Sequence, residues 1–136
     1  LDGHEHQLMA NAGQHCLHGG PRGSRHRVFA ATQTDAQTLV LRHRFLTAED
    51  SFPGTLDLQL TYRLSDDNAL VLEHEATALD EPGPASFTSH IYFNLDGVRD
   101  LAHAMPLNPM QNSKTGGTRC LLLRTTLSIA IPLLSR

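Results

Sequence analysis

Tryptophan is absent from this 136-residue chain, and aromatic character rests on two tyrosines and five phenylalanines. That is too little for an interleaved platform on which nucleic-acid bases could stack. Positive charge is scarce as well. The formal net charge is -3, and the one basic cluster, Arg22, Arg25 and Arg27, sits in a glycine-rich segment, so no nucleic-acid footprint is present. Only Cys16 and Cys120 are available, which excludes a disulfide framework and suits a reducing, cytoplasmic compartment. Long apolar runs are missing. Leu121 to Leu134 is interrupted by Arg124 and Pro132 and is too short to span a bilayer, so no membrane partner is expected. The opening Leu1–His6 has neither the basic nor the apolar region of a secretory signal.

What remains is an alternating chain. With 136 residues and 40% apolar content, one domain covering 1–136 is expected. Leu56 to Leu64 alternates strictly, with Leu56, Leu58, Leu60, Tyr62 and Leu64 against Asp57, Gln59, Thr61 and Arg63. Ser65-Asp66-Asp67-Asn68 reads as a hairpin turn, since short Asp and Asn side chains bond to nearby backbone. The return strand Ala69 to Ala78 places Leu70, Leu72, His74, Ala76 and Ala78 on one face. Further strands are expected at Val28 to Thr32 and at Thr38 to Phe45. Leu1 to Gly23 reads as loop, Ser51 to Gly54 as a turn, and Leu121 to Leu134 as either a strand pair or a buried segment. No helical period is persuasive before residue 100. The pattern describes an all-β, antiparallel β-sandwich.

Ser86 to Leu95 is the most informative stretch. Read as a strand, it puts Phe87, Ile91, Phe93 and Leu95 on one face, with Ser89 among them, and Ser86, Thr88, His90, Tyr92 and Asn94 on the other. Hydroxyls, an amide and an imidazole both donate and accept hydrogen bonds near neutral pH. Such a face suits a neutral polyhydroxy ligand. His90 can transfer a proton there, although a hydrogen-bonded structural histidine is an equal reading. In His15-Cys16-Leu17-His18-Gly19-Gly20, the glycines let backbone approach a ligand beside His18; alone, this is a flexible loop. His4, His6, His15, Cys16 and His18 do not complete a zinc-site spacing, so no metal is expected. There is no GxSxG elbow, and Glu73 and Glu75 read as a solvated strand face rather than a glycosidase pair.

Taken in order, four segments carry a resemblance: Leu17-His18-Gly19-Gly20; Phe52-Pro53-Gly54-x-Leu56; Tyr62-x-Leu64-x-Asp66-Asp67-Asn68; and His90-x-Tyr92-Phe93-Asn94-Leu95-x-Gly97. Together they resemble the galactose mutarotase (aldose 1-epimerase) family over about residues 11–97, with 98–136 divergent. The resemblance implies a galactose-mutarotase-like sandwich and interconversion of the α and β anomers of free hexoses such as galactose and glucose, without a cofactor. It implies that His90 is the general acid at the ring oxygen, that His18 hydrogen-bonds the sugar, and that Tyr92 lies on the sugar-contacting strand. It also implies departures. Ser86-Phe87-Thr88-Ser89 replaces Asn-Leu-Thr-Asn before His90, and Gly23-Ser24-Arg25 replaces Gly-Phe-Asp. The family's Gly-Arg-x-Ala-Asn-Arg segment and catalytic carboxylate have no counterpart, so the expected chain is a truncated piece lacking the base. The alternatives are a non-catalytic carbohydrate-binding β-sandwich module or an inactive fragment. The sequence leaves the oligomeric state open.

Overall fold

The alternating segments pair into one antiparallel sheet. The structure, a computed structural model, describes residues 1–89 together with the strand backbone at 92–93, 105–106 and 122–130. The strands are β1 (Ala30–Gln33), β2 (Thr38–Phe45), β3 (Leu56–Leu64), β4 (Ala69–Ala78), β5 (Tyr92–Phe93), β6 (Met105–Pro106) and β7 (Leu122–Ala130); one helical turn, α1 (Thr47–Asp50), follows β2. Five strands form a sheet in the order β1-β2-β3-β4-β7, while β5 and β6 form a separate two-stranded ribbon. All pairings are antiparallel.

Register follows the hydrophobic pattern, because a one-residue slip would turn every side chain to the opposite face. Leu39, Tyr62 and Leu72 form one cross-strand row; Leu41, Leu60 and His74 form the next, followed by His43, Leu58 and Ala76, and by Phe45, Leu56 and Ala78. These rows place the core on one face, where Leu58 and Leu72 are each only 2% exposed and His74 is buried. Full burial of a leucine side chain contributes about 1.5–3 kcal/mol.

The opposite face is wet but not uniformly so, since Val40 and Val71 are buried there. Elsewhere on it, directly opposed residues make polar pairs. Arg42 Nε donates to Gln59 (2.9 Å), and Arg44 grips Asp57 with two hydrogen bonds (2.6 and 2.8 Å). Cross-strand pairs of this kind secure a sheet at its surface.

The sheet has two unlike ends. At one, β1 meets β2 and β3 meets β4 through short turns. In the second turn Asn68 sits at φ 61°, Ser65 N–H donates to the Ala69 carbonyl at 2.8 Å, and Ser65 Oγ accepts from Ala69 N–H at 3.0 Å. The two turns are laced together: Leu64 N–H donates to the Gln37 carbonyl (3.0 Å) and Gln37 Nε2 to Asp66 (2.9 Å). At the other end the connections are long, and they leave an open rim.

Three differences from the sequence reading stand out. The first strand begins at Ala30, two residues late, and Val28 outside it is 90% exposed. The expected strand from Ser86 does not form over 86–89, where no ladder is present; Phe87 and Ser89 are nonetheless half-buried while Ser86 and Thr88 are exposed, as the two faces required. Leu121 to Leu134, read as a strand pair or a buried segment, instead contributes one strand over Leu122–Ala130, paired along β4. No helix among the described residues is long and apolar enough to cross a membrane.

Candidate functional site

The open end of the sheet carries the site. Phe45, Leu56 and Ala78 form the last row of β2, β3 and β4; the β2–β3 connection and the segment after β4 rise from it, and the segment before β1 joins them. They enclose a cavity of about 200 Å³, with Phe45, Leu56 and Ala78 among its lining residues. Residues His18 and Ser24 come from the segment before β1, Phe52 and Pro53 from the β2–β3 connection, and Phe87 and Thr88 from the segment after β4. Mostly apolar walls with a few placed polar groups are the usual make-up of a small-molecule pocket.

His18 is presented by backbone conformation. Its φ is 51°, and Gly19 and Gly20 continue in the left-handed region at 81° and 76°. Histidine is among the non-glycine residues that tolerate this region. Asn11 holds the preceding residue: Leu17 N–H donates to Asn11 Oδ1 at 2.7 Å, and Asn11 Nδ2 donates to the Leu17 carbonyl at 3.0 Å. On the other side the chain folds back so closely that a Cβ at Gly23 would collide with the His18 carbonyl oxygen and lie 3.1 Å from the Gly19 carbonyl carbon.

The loop is tethered to the β2–β3 connection. Arg22 Nη1 donates to the Glu49 carbonyl (3.0 Å), Met9 N–H donates to Ser51 Oγ (3.1 Å), and Arg27 Nε donates to the Arg22 carbonyl (2.9 Å). Arg27 also faces the Glu49 carboxylate at 3.6 Å.

A second set of bonds fixes the Phe52–Thr55 wall. Thr55 N–H donates to Asp80 Oδ1 (2.6 Å), Gly54 N–H to Glu81 Oε1 (3.2 Å), and Leu79 N–H to the Thr55 carbonyl (2.9 Å). The Thr55 side chain, and then the backbone N–H groups of Thr55 and Glu81, hold the Asp80 carboxyl below its ordinary value. Gly54 is needed here: its φ is 83°, and a Cβ would stand 2.7 Å from the Glu81 carbonyl oxygen. A row of rings runs from the cavity onto the core face, from Phe87 to Phe45 (6.0 Å), His43 (4.7 Å) and Phe29 (5.3 Å).

Of the residues singled out from sequence, His18 lines the cavity, as do Ser86 and Thr88 from the polar face expected around His90. His90 itself lies outside the described residues, and Tyr92 is described only as backbone, paired with Pro106. Among the described residues no three His, Cys, Asp or Glu side chains group to hold a metal ion. Sequence reasoning missed Asn11, Asp80 and Glu81. It read Phe52-Pro53-Gly54 as a turn and as part of the family pattern, without assigning it to the cavity wall that it supplies. Side-chain bonds to a distant backbone leave no periodic trace. The proline–glycine pair was the one available signal.

Comparison with known proteins agrees with this architecture. The family model for aldose 1-epimerase matches residues 1–105. The chain is 40% identical over 101 residues to an aldose 1-epimerase of Escherichia coli strain K12, covering 71% of this chain and 28% of that protein. It is 35% identical over 97 residues to a galactose mutarotase of Sus scrofa, again covering 71% and 28%. The crystal structure of a GalM/aldose epimerase homologue from C. elegans superposes with a TM-score of 0.67 at 36% identity, over 72% of this chain and 30% of that one. The chain thus spans under a third of the length of these relatives. Matching family model, matching sequences and a matching antiparallel fold lead to one conclusion: the chain belongs to the aldose 1-epimerase family.

Proposed function

We propose that the cavity at the open end of the sheet receives a free aldose, with galactose and glucose as the expected sugars. We also propose that this chain carries the acid side of anomer interconversion. The observation that carries the reading is the convergence of His18 with Ser86, Phe87 and Thr88 on one cavity, because Thr88 stands two residues before His90 in the chain. Phenylalanine rings at Phe45, Phe52 and Phe87 offer apolar surface to the C–H faces of a pyranose. Imidazole and hydroxyl groups beside them offer partners for its O–H groups.

In this reading His18 donates a hydrogen bond to the sugar and steadies developing charge on oxygen. His90 protonates the ring oxygen while a base takes the proton of the anomeric hydroxyl. The ring C–O bond then breaks, and the electron pair returning from the anomeric oxygen makes the aldehyde. Rotation about the adjoining C–C bond and closure on either face give either anomer. Tyr92 contacts the sugar from the same segment. Both catalytic steps are proton transfers, so side chains and water can carry them; a positioned acid or base contributes about 10²–10⁴-fold in rate. The base is not assigned to any residue of this chain. A cytoplasmic setting is proposed from the cysteine usage.

NMR magnetisation exchange between α- and β-galactose tests this. Exchange above the buffer rate that disappears on His90→Ala supports the reading, and exchange indifferent to that substitution contradicts it. A saturable galactose response without exchange would instead assign a sugar-binding module. That second reading draws on the chain's match to under a third of its relatives.

A further inference from the structure

We propose that Asn11 is a positioning residue for His18, acting through the backbone of Leu17. The inference rests on the reading of His18 as a sugar-binding group. An isolated bridge between Ala12 and His15 turns the chain back on itself, and Asn11 N–H donates to the His15 carbonyl at 3.0 Å, which points the Asn11 side chain toward the approach to His18. There its amide satisfies both backbone groups of Leu17, accepting at 2.7 Å and donating at 3.0 Å. Serving both groups requires a donor and an acceptor on one short planar group, which asparagine has and aspartate lacks at neutral pH.

The consequence passes to the next residue. With the Leu17 peptide held, the direction in which the His18 ring leaves the chain depends on its φ of 51°. That conformation is uncommon for a residue with a Cβ and persists only where the surroundings enforce it. The close approach of Gly23 to the His18 carbonyl enforces it from one side. Asn11 enforces it from the other. Without Asn11 the peptide before His18 keeps the bond from Gly20 N–H to the Leu17 carbonyl (3.1 Å) but loses both Asn11 bonds, and the ring is less firmly held on the wall formed with Ser24.

The test uses the full chain with Asn11→Asp, which keeps the acceptor and loses the donor, and Asn11→Ala, which loses both. Two readouts are taken: the ring proton signals of His18 without sugar, and the galactose titration. The expected order of galactose affinity is wild type, then Asn11→Asp, then Asn11→Ala, the last weakened about tenfold, the equivalent of one or two hydrogen bonds. The His18 ring signals move in the same order toward those of an unstructured histidine, while the amide signals of β3 and β4 stay in place. If both variants keep the wild-type ring signals, the proposal is overturned. It is likewise overturned if the signals move while galactose affinity holds. If the ring signals move in the expected order and even the wild type shows no galactose response, the positioning role stands and the sugar reading of the cavity falls. Should Asn11→Ala disturb the β3 and β4 amides, Asn11→Asp alone decides, because it preserves the shorter bond.

Discussion

The two ends of the sheet solve the same problem, reversing the chain, in opposite ways. At the closed end four-residue turns return each strand at once. Their backbone groups are satisfied within the turn, as in the Ser65–Ala69 and Asn68–Ser65 bonds, or by the turn beside it, as in the Leu64–Gln37 bond. At the open end the connections are long enough to stand up from the last row of the sheet. Their backbone groups are satisfied by side chains far away in sequence, such as Asp80 on Thr55 and Ser51 on Met9. The cavity lined by His18 lies at the second end. Local satisfaction gives a tight turn, whereas satisfaction at a distance gives walls with space between them.

The most severe way to break this contrast is to remove the frame that both ends share. Leu58→Ala deletes a side chain that is 2% exposed in the centre of the sheet and should cost about 2–5 kcal/mol. Chemical denaturation should show an earlier midpoint, with both ends losing amide protection together. Gly23→Ala should act on the open end alone. Its new methyl meets the His18 carbonyl, and overpacking of this kind costs about 1–3 kcal/mol. The galactose response should fall while the Ser65–Asn68 amides keep their shifts.

Asn68 sharpens the comparison from the other side. At φ 61°, Asn68→Ala should cost about 1 kcal/mol, and Asn68→Gly should be nearly neutral. Neither should alter the galactose titration. The smallest effect belongs to the exposed Arg44–Asp57 pair. Hydrogen bonds from the Arg44 guanidinium hold the Asp57 carboxyl below its ordinary value. Its contribution is therefore complete above the ordinary aspartate range and is lost as pH falls through the lowered folded-state value. Arg44→Ala should shift the denaturation midpoint slightly at neutral pH and not at all in strong acid, since exposed pairs contribute little.

The same contrast explains what could be read from sequence. The bounds of β2, β3 and β4 were legible because alternation and turn chemistry are local properties, and the Ser65–Asn68 turn announces itself through its side chains. Residues 86–89 show the limit. Alternation correctly divided Phe87 and Ser89 from Ser86 and Thr88, but it reports which side faces the core and not whether a neighbouring strand is there to bond. Apolar residues on both faces of Leu122–Ala130 hid its periodicity. At the site, His18 was visible through its glycine neighbours and the family pattern. Asn11, Asp80 and Glu81 were not, because each acts on backbone brought near only by folding.

The shared row of Phe45, Leu56 and Ala78 also makes the sheet a counting device. Each floor residue reaches the cavity because an even number of steps along its strand returns it to the core face. An insertion of one residue within β3 changes that parity and turns one flank of the strand inside out. The same insertion in the connections from 46 to 55 or from 79 to 88 changes no parity at all. Length can therefore drift at the rim while the frame stays intact, and the molecule can change the ligand it admits without relearning how to fold.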